Sequence, residues 1–494
     1  MFNQISSSFK EFSDANSFCI NDTFYSYKVF GQHINGIIAA IINNPSQNIG
    51  IVAYDDIETY ASILAALFSS KTYVPLNPHN PPDRNSNIIK QAEIGLILTS
   101  RNEEIDSIIT DNDATTILST NNLLSENFTL TIPVINKDQN AYILFTSGST
   151  GIPKGVPISI KNLSSFIDAF FALNYNINEN DRVLQMFDLT FDLSIMSYLV
   201  PLCKGACVYT VPSGDIKFTS AYSILEDYQI TVALMVPSIL NFLKKYFDEI
   251  RLESMRYSLF CGEALYTDLT RGWAECVPHA LIQNVYGPTE ATIFCLTYDW
   301  KRSEKNKENN GILCIGKPMN GIQAIIVDEN LLAVPDGTPG ELCLLGNQLT
   351  SGYLNNPVKN KDAFFSAIID GQKCIFYRTG DICFKDEAGD FLYSGRLDNQ
   401  VKIQGFRVEL SEIEYHARDF AKNSNAVALI SQNATGQSLI HLFVENFKDT
   451  NNLIDHLKNK LPPYMIPSEV RHVQNFPLNV NGKIDRNALQ KLIG

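Results

Sequence analysis

Long apolar runs, paired cysteines and an excess of positive charge are all missing from this 494-residue chain. No stretch approaches the roughly 20 uninterrupted apolar residues that a membrane span requires, so a membrane-embedded protein is not expected. The opening MFNQISSSFKEFSDANSF has no basic segment leading into an apolar one, so no secretory signal is expected either. The ten cysteines are scattered, without a C-x-x-C pair or a Cys/His cluster at metal-ligand spacing. Reduced, mostly buried thiols in a cytoplasmic protein follow, not zinc or a disulfide framework. Thirty-nine Lys and Arg against 53 Asp and Glu leave a net charge of −14, which argues against a protein built to hold nucleic acid. A local nucleotide site remains compatible with that charge.

What is present is an ordinary globular composition, 45% apolar and 19% charged, in a chain too long for one core. Short apolar strand candidates alternate with helical segments: NIGIVAY then ETYASILAALFSS, followed by AYILFT, RVLQMF, TVALMV and YSLFC. That alternation predicts an α/β fold with parallel sheets covered on both faces. After residue 313 the pattern turns to β-rich hairpins, with Asp336-Gly337 as one turn signal. From residue 399 a smaller α+β pattern begins (QVKIQG, LSEIEYHARDFAK, AVALIS, LIHLFVE, NLIDHLKNKL), which predicts a domain boundary near 396–399.

The sharpest single motif is LFTSGSTGIPKG, residues 144–155, directly after a strand candidate. Its glycines let the backbone approach phosphate oxygens, its amides and hydroxyls donate to them, and Lys154 adds a point charge. The Gly-Lys-Ser/Thr of the P-loop is absent. A Ser/Gly-rich surface turn would look similar, so the loop alone leaves both readings open.

It does not stand alone. TSGSTGIPKG, NVYGPTEAT (284–292), YRTGD (377–381), GRLDNQVKIQGFRVELSEIE (395–414) and NVNGKIDR (479–486) occur in that order. Together they resemble the adenylate-forming enzymes, most closely the amino-acid adenylation domains that load carrier proteins, over nearly the whole chain. The resemblance implies an N-terminal core, 1–396, of parallel sheets flanked by helices plus a small β-barrel-like part. It also implies a small mobile α+β domain, 399–494, a hinge at 397–398 turning on Asp398, and a site between the two. ATP and Mg²⁺ are the implied cofactors, and two domain arrangements, one for adenylation and one for thioester formation, are implied as well.

By the same resemblance Thr146, Ser147, Gly148, Ser149, Thr150 and Lys154 cradle the leaving phosphates. Glu290 holds the metal and Thr289 sits on the α-phosphate. Gly262, Glu263, Ala264, Asn284, Tyr286 and Gly287 frame the adenine, and Asp381 with Arg396 takes the ribose. Lys483 would bridge the incoming carboxylate and the α-phosphate, placing positive charge where negative charge develops. An isolated Asn-Gly-Lys would read as a solvated turn.

In MFDLTFDLSIMSYLVPLCKG, residues 186–205, Phe-Asp-Leu occurs twice. The amino-acid-loading branch pairs the aspartate of a Phe-Asp-x-Ser motif with the substrate ammonium. Only the second copy has the serine, so Asp192 is assigned to the ammonium and Asp188 to a loop. The side-chain pocket is expected from Leu193, Met196, Met235, Leu259, Cys261, Val285, Ile293 and Phe294. It carries no charge, so a small apolar amino acid is expected. FDLSIM and LFCGEAL look like the D-alanine–carrier protein ligases, although Met235 stands where those enzymes have a small polar residue. D-alanine is favoured, with glycine or a small L-amino acid of a nonribosomal peptide pathway as the alternative.

An acyl-CoA ligase would have no use for Asp192, and a non-catalytic nucleotide-binding protein none for intact Lys154, Glu290, Asp381 and Lys483. No phosphopantetheine attachment motif is visible, so the expected partner is a separate phosphopantetheinylated carrier protein. Residues 399–494 carry +2 against −16 for the remainder, making the small domain the less repulsive surface for an acidic carrier.

Overall fold

The computed structural model describes residues 1–110, 115–148, 151–212, 217–369, 372–398, 400–422, 424–433, 437–478 and 484–493. The fold is α/β, with two large, mainly parallel sheets. In the nine-stranded sheet, strands Asn16–Ile20, Cys207–Thr210, Arg182–Gln185, Val232–Met235, Tyr257–Phe260 and Leu281–Tyr286 run parallel as neighbours. The six-stranded sheet is parallel through Thr116–Ser119, Leu96–Thr99, Asn48–Val52, Thr72–Leu76 and Asn140–Thr146, and ends antiparallel at Lys154–Ser159.

Helices fill the space between the sheets, and their caps follow from sequence. Asp56 accepts from Thr59 N–H at the head of Ile57–Phe68, and Ser159 with Asn162 forms a capping box at the head of Ile160–Phe171. Helix Asp192–Leu202 is buried along its whole length, as a helix apolar on every side must be. One continuous core contains residues of both sheets and of these helices. Strand Val232–Met235 has faces of opposite allegiance: Val232 and Leu234 belong to this central core, while Ala233 and Met235 join a second core with Trp273 and Ile239.

The hairpin-rich segment forms a five-stranded antiparallel sheet around the long strand Gln372–Lys385, and Gly337 lies at φ +81° in the connection between Ile322–Val327 and Gly340–Gly346. Beyond it, hairpin Gln400–Ile403/Phe406–Glu409 leads into helix Leu410–Phe420 and a three-stranded sheet, Ala426–Gln432, Ser438–Glu445 and Glu469–Val473. This C-terminal part packs around cores of its own. Among the described residues no helix is long and apolar enough to cross a membrane.

Candidate active site

Strand ends of both sheets meet at one cavity. It is lined by Thr146 and Ser147 from the strand preceding the phosphate loop, by Asp192 and Leu193 at the head of the buried helix, and by Cys261, Gly262 and the 286–289 turn. Asp381 and Arg396 line it from the antiparallel sheet, and Gln400, Lys402, Gly405, Arg407 and Tyr464 close it from the C-terminal part.

Asp192 is 6% exposed and opens its helix. Its Oδ2 accepts the Ile293 N–H at 3.2 Å, and among the described residues no Lys, Arg or His forms an ion pair with it. Burial pushes its carboxyl up to about 7, with Ile293 and Thr289 offsetting part of the rise. The Ile293 amide reaches it because Thr292 and Ile293 both adopt left-handed backbone (φ +56° and +74°), a costly conformation for β-branched residues. The strand end opposite must give way: a Cβ on Gly287 would lie 2.3 Å from Phe294 Cα. Asp188, by contrast, closes a local turn, accepting from Thr190 N–H and Oγ1 (2.8 and 2.7 Å) and from Asn77 Nδ2 (2.5 Å).

Of the expected side-chain pocket, Leu193 and Cys261 line the cavity, and Met196, Leu259, Val285, Ile293 and Phe294 lie in the central core. Burial pushes the Cys261 thiol up to about 12, which leaves it a neutral, space-filling group. Met235 requires a correction: its side chain lies in the other core, with Phe260, on the opposite face of the sheet. Leu234, one residue earlier, faces the central core that includes Cys261. A one-residue slip in a strand exchanges the two faces.

The expected phosphate loop and the expected metal ligand Glu290 are both contacted by groups from the C-terminal part. Ser147 Oγ donates to the Arg407 carbonyl at 2.9 Å, and Gly148 N–H donates to Glu412 Oε2 at 3.0 Å. Lys154 Nζ lies 3.5 Å from Glu409 Oε1, and Glu412 is paired with Arg84 at 2.7 Å, both side chains buried. Glu290, fully buried, accepts from Tyr353 Oη at 2.6 Å and from Arg407 Nη1 at 2.9 and 3.1 Å. Burial alone would raise the Glu290 carboxyl; Arg407, Tyr353 and Lys154 override it and hold it below the usual range. Burial and the nearby Arg407 lower the Lys154 ammonium. Thr146 Oγ1 is buried without a hydrogen-bond partner. Ser149, Thr150 and Lys483 lie outside the described residues. The flanking Leu478 and Ile484 bridge to each other.

Around the expected ribose position, Asp381 accepts from Tyr286 Oη (2.5 Å) and Arg396 Nη1 (2.7 Å). Arg396 also grips Asp398 at 2.7 and 2.9 Å. Burial would raise the Asp398 carboxyl, but Arg396 holds it low. Asn284 commits its amide nitrogen to the carbonyls of Leu313 and Cys314 (3.2 and 3.0 Å) and is not among the cavity-lining residues, and neither is Ala264. The Glu263 side chain turns to the C-terminal hairpin, accepting from Gly405 N–H. Sequence reasoning missed Lys402, Arg407, Glu409 and Glu412. All four lie within the quoted 395–414 motif, whose density of charge beside glycine was the available signal.

The sequence model of the AMP-binding enzyme family matches residues 7–354. The D-alanine–D-alanyl carrier protein ligase of Lactiplantibacillus plantarum is 30% identical over 451 residues, covering 88% of this chain and 86% of that protein. Bacitracin synthase 3 of Bacillus licheniformis is 31% identical over 473 residues, 94% of this chain; the chain spans only 7% of that synthase. Among solved structures, the Vibrio cholerae adenylation domain AlmE in complex with glycyl-adenosine-5'-phosphate superposes with a TM-score of 0.89 at 27% identity, covering 99% of this chain and 97% of that one.

Proposed function

The chain belongs to the AMP-binding enzyme family, and we propose that it activates a small apolar amino acid, D-alanine foremost, as an aminoacyl-adenylate and passes the aminoacyl group to the phosphopantetheine thiol of a separate carrier protein. The observation that carries this reading is Asp192: a buried carboxylate facing a cavity, without a cation. A substrate ammonium is the partner that turns its desolvation into a favourable contact. Leu193 and Cys261, the apolar members of the cavity wall beside Asp192, support a short apolar side chain. A D-alanine-loading relative and a glycyl-adenylate-bound neighbour support the same size class, with glycine as the second reading.

In the first step Asp192 fixes the ammonium, and an oxygen of the amino-acid carboxylate attacks the α-phosphorus of ATP. The bond to the β-phosphate breaks, and pyrophosphate leaves with the electron pair. Ser147, Gly148 and Lys154, with Ser149 and Thr150, hold the leaving phosphates, and the unpartnered Thr146 hydroxyl is one more donor there. Asp381 and Arg396 orient the ribose, Thr289 the α-phosphate, and Lys483 supplies charge to the attacking and accepting oxygens. Glu290, ionised and buried, offers the hard oxygen that Mg²⁺ takes, and the metal neutralises phosphate charge when bound. Arg407 must leave Glu290 first. In the second step the thiol gives up its proton to solvent, its sulfur attacks the acyl carbon, and the acyl C–O bond to the phosphate breaks, AMP leaving with the electron pair. The arrangement in which hairpin 400–409 roofs the cavity suits this step, because Arg407, Glu409 and Glu412 then engage Glu290, Lys154 and Gly148, the groups proposed to hold metal and pyrophosphate.

Amino-acid-dependent exchange of labelled pyrophosphate into ATP tests the reading. A D-alanine or glycine signal at least tenfold above other amino acids is expected. Exchange with aryl or fatty acids alone would overturn it and the role of Asp192 together.

A further inference from the structure

The hairpin over the cavity turns through Gln404 and Gly405, both left-handed at φ +50° and +85°. In a two-residue turn of this hand the amide of the second residue has no partner inside the hairpin. Gly405 N–H donates instead to Glu263 Oε1 at 2.8 Å, and Glu263 Oε2 accepts from Ser238 N–H, also at 2.8 Å. One carboxylate thus ties the C-terminal hairpin to the head of helix Ser238–Leu243, which follows strand Val232–Met235. The seat is close: a Cβ on Gly405 would come within 2.5 Å of Val236 Cγ1, and one on Gly262 would meet Gly405 Cα at 3.6 Å. Beyond the turn, Phe406 stacks on Tyr464 at 4.0 Å and meets Phe191, the neighbour of Asp192, edge-on at 4.5 Å. Lys402 and Arg407 are thereby presented to the cavity.

We propose that Glu263 is a positioning residue for the transfer half-reaction, its carboxylate clamping the Gly405 amide so that hairpin 400–409 seats over the adenylate. The assignment rests on the two-step reading above. The clamp needs a carboxylate: both oxygens accept N–H groups, so the amide of Gln would turn its NH₂ toward one of two donors. Asp is one methylene too short to span both.

Hydrogen exchange on the full nucleotide-free chain gives a direct test. In the wild type the Gly405 amide exchanges more slowly than that of Gln404. In Glu263→Gln and Glu263→Asp the Gly405 amide exchanges at least tenfold faster, with the melting temperature unchanged. Single-turnover transfer from preformed adenylate to a pantetheine thiol falls at least tenfold more than pyrophosphate exchange does, while KM for the amino acid holds. Wild-type exchange at Gly405 in both variants, or an equal fall in both half-reactions, would overturn the proposal. Should no amino acid support pyrophosphate exchange, the activity reading fails, whereas the amide measurements still decide whether the clamp exists.

Discussion

Asp192 places a cost on the ligand-free protein that a bound substrate ammonium would remove. Its folded-state value of about 7 lies above the ordinary 3.8, so the protonated form is the one that stabilises the fold. That contribution is complete below about pH 4 and is lost as pH rises through 7, on the order of a few kcal/mol in all. Asp192→Asn should therefore raise the melting temperature by several degrees at pH 8, by less at pH 5, and leave it nearly unchanged below pH 4, measured by calorimetry. It should also lower amino-acid-dependent exchange at least a hundredfold. In the wild type KM for the amino acid should rise as pH falls below 7, because the ammonium binds the ionised carboxylate. The pocket gives a second expectation. Leu234→Ala should shift substrate preference toward larger side chains, while Met235→Leu should leave it alone, read from exchange across an amino-acid panel. The Phe-Asp-x-Ser resemblance singled out Asp192, and the structure puts that residue at a helix head on the cavity wall. The sequence misled at Met235 because an unbroken apolar strand gives no sign of which face each residue takes. Nothing in Thr292-Ile293 signals left-handed backbone, which the surrounding packing imposes.

At the scale of elements, helix Leu410–Phe420 and the phosphate loop are built as complements. Glu412 caps the Gly148 amide while paired to Arg84, and a Cβ on Gly151 would strike Tyr415 at 2.5 Å. Breaking one partner of a buried pair typically costs about 3–5 kcal/mol. Arg84→Met should therefore leave Glu412 uncompensated only where the helix is docked, and transfer from preformed adenylate should slow at least tenfold in single-turnover kinetics. Equal rates in variant and wild type would remove the pair from the docking interface. Individual strands and helices were legible from apolar runs and their punctuation. These helix-to-loop contacts were not, because Arg84 and Glu412 are separated by more than three hundred residues and no local pattern pairs them.

For the whole molecule, the proposed function would have the same groups serve two occupants. Arg407 stands on Glu290 where a metal would bind, and Glu409 and Glu412 stand on Lys154 and Gly148 where phosphates would bind. Adding ATP and magnesium without amino acid should consequently loosen the C-terminal part, seen as faster exchange of the Gly405 amide and a larger radius of gyration in small-angle scattering. Unchanged values would mean that the two occupancies do not compete. The carboxylates Glu409 and Glu412 would have a further consequence for the proposed response to ATP. A tethered competitor sits at millimolar or higher effective concentration, so if ATP takes the loop as proposed, its apparent dissociation constant would be the intrinsic one divided by the undocked fraction. Surface mutations near Glu412 or Arg84 would then retune the ATP concentration at which the protein responds, without altering any residue that touches the nucleotide.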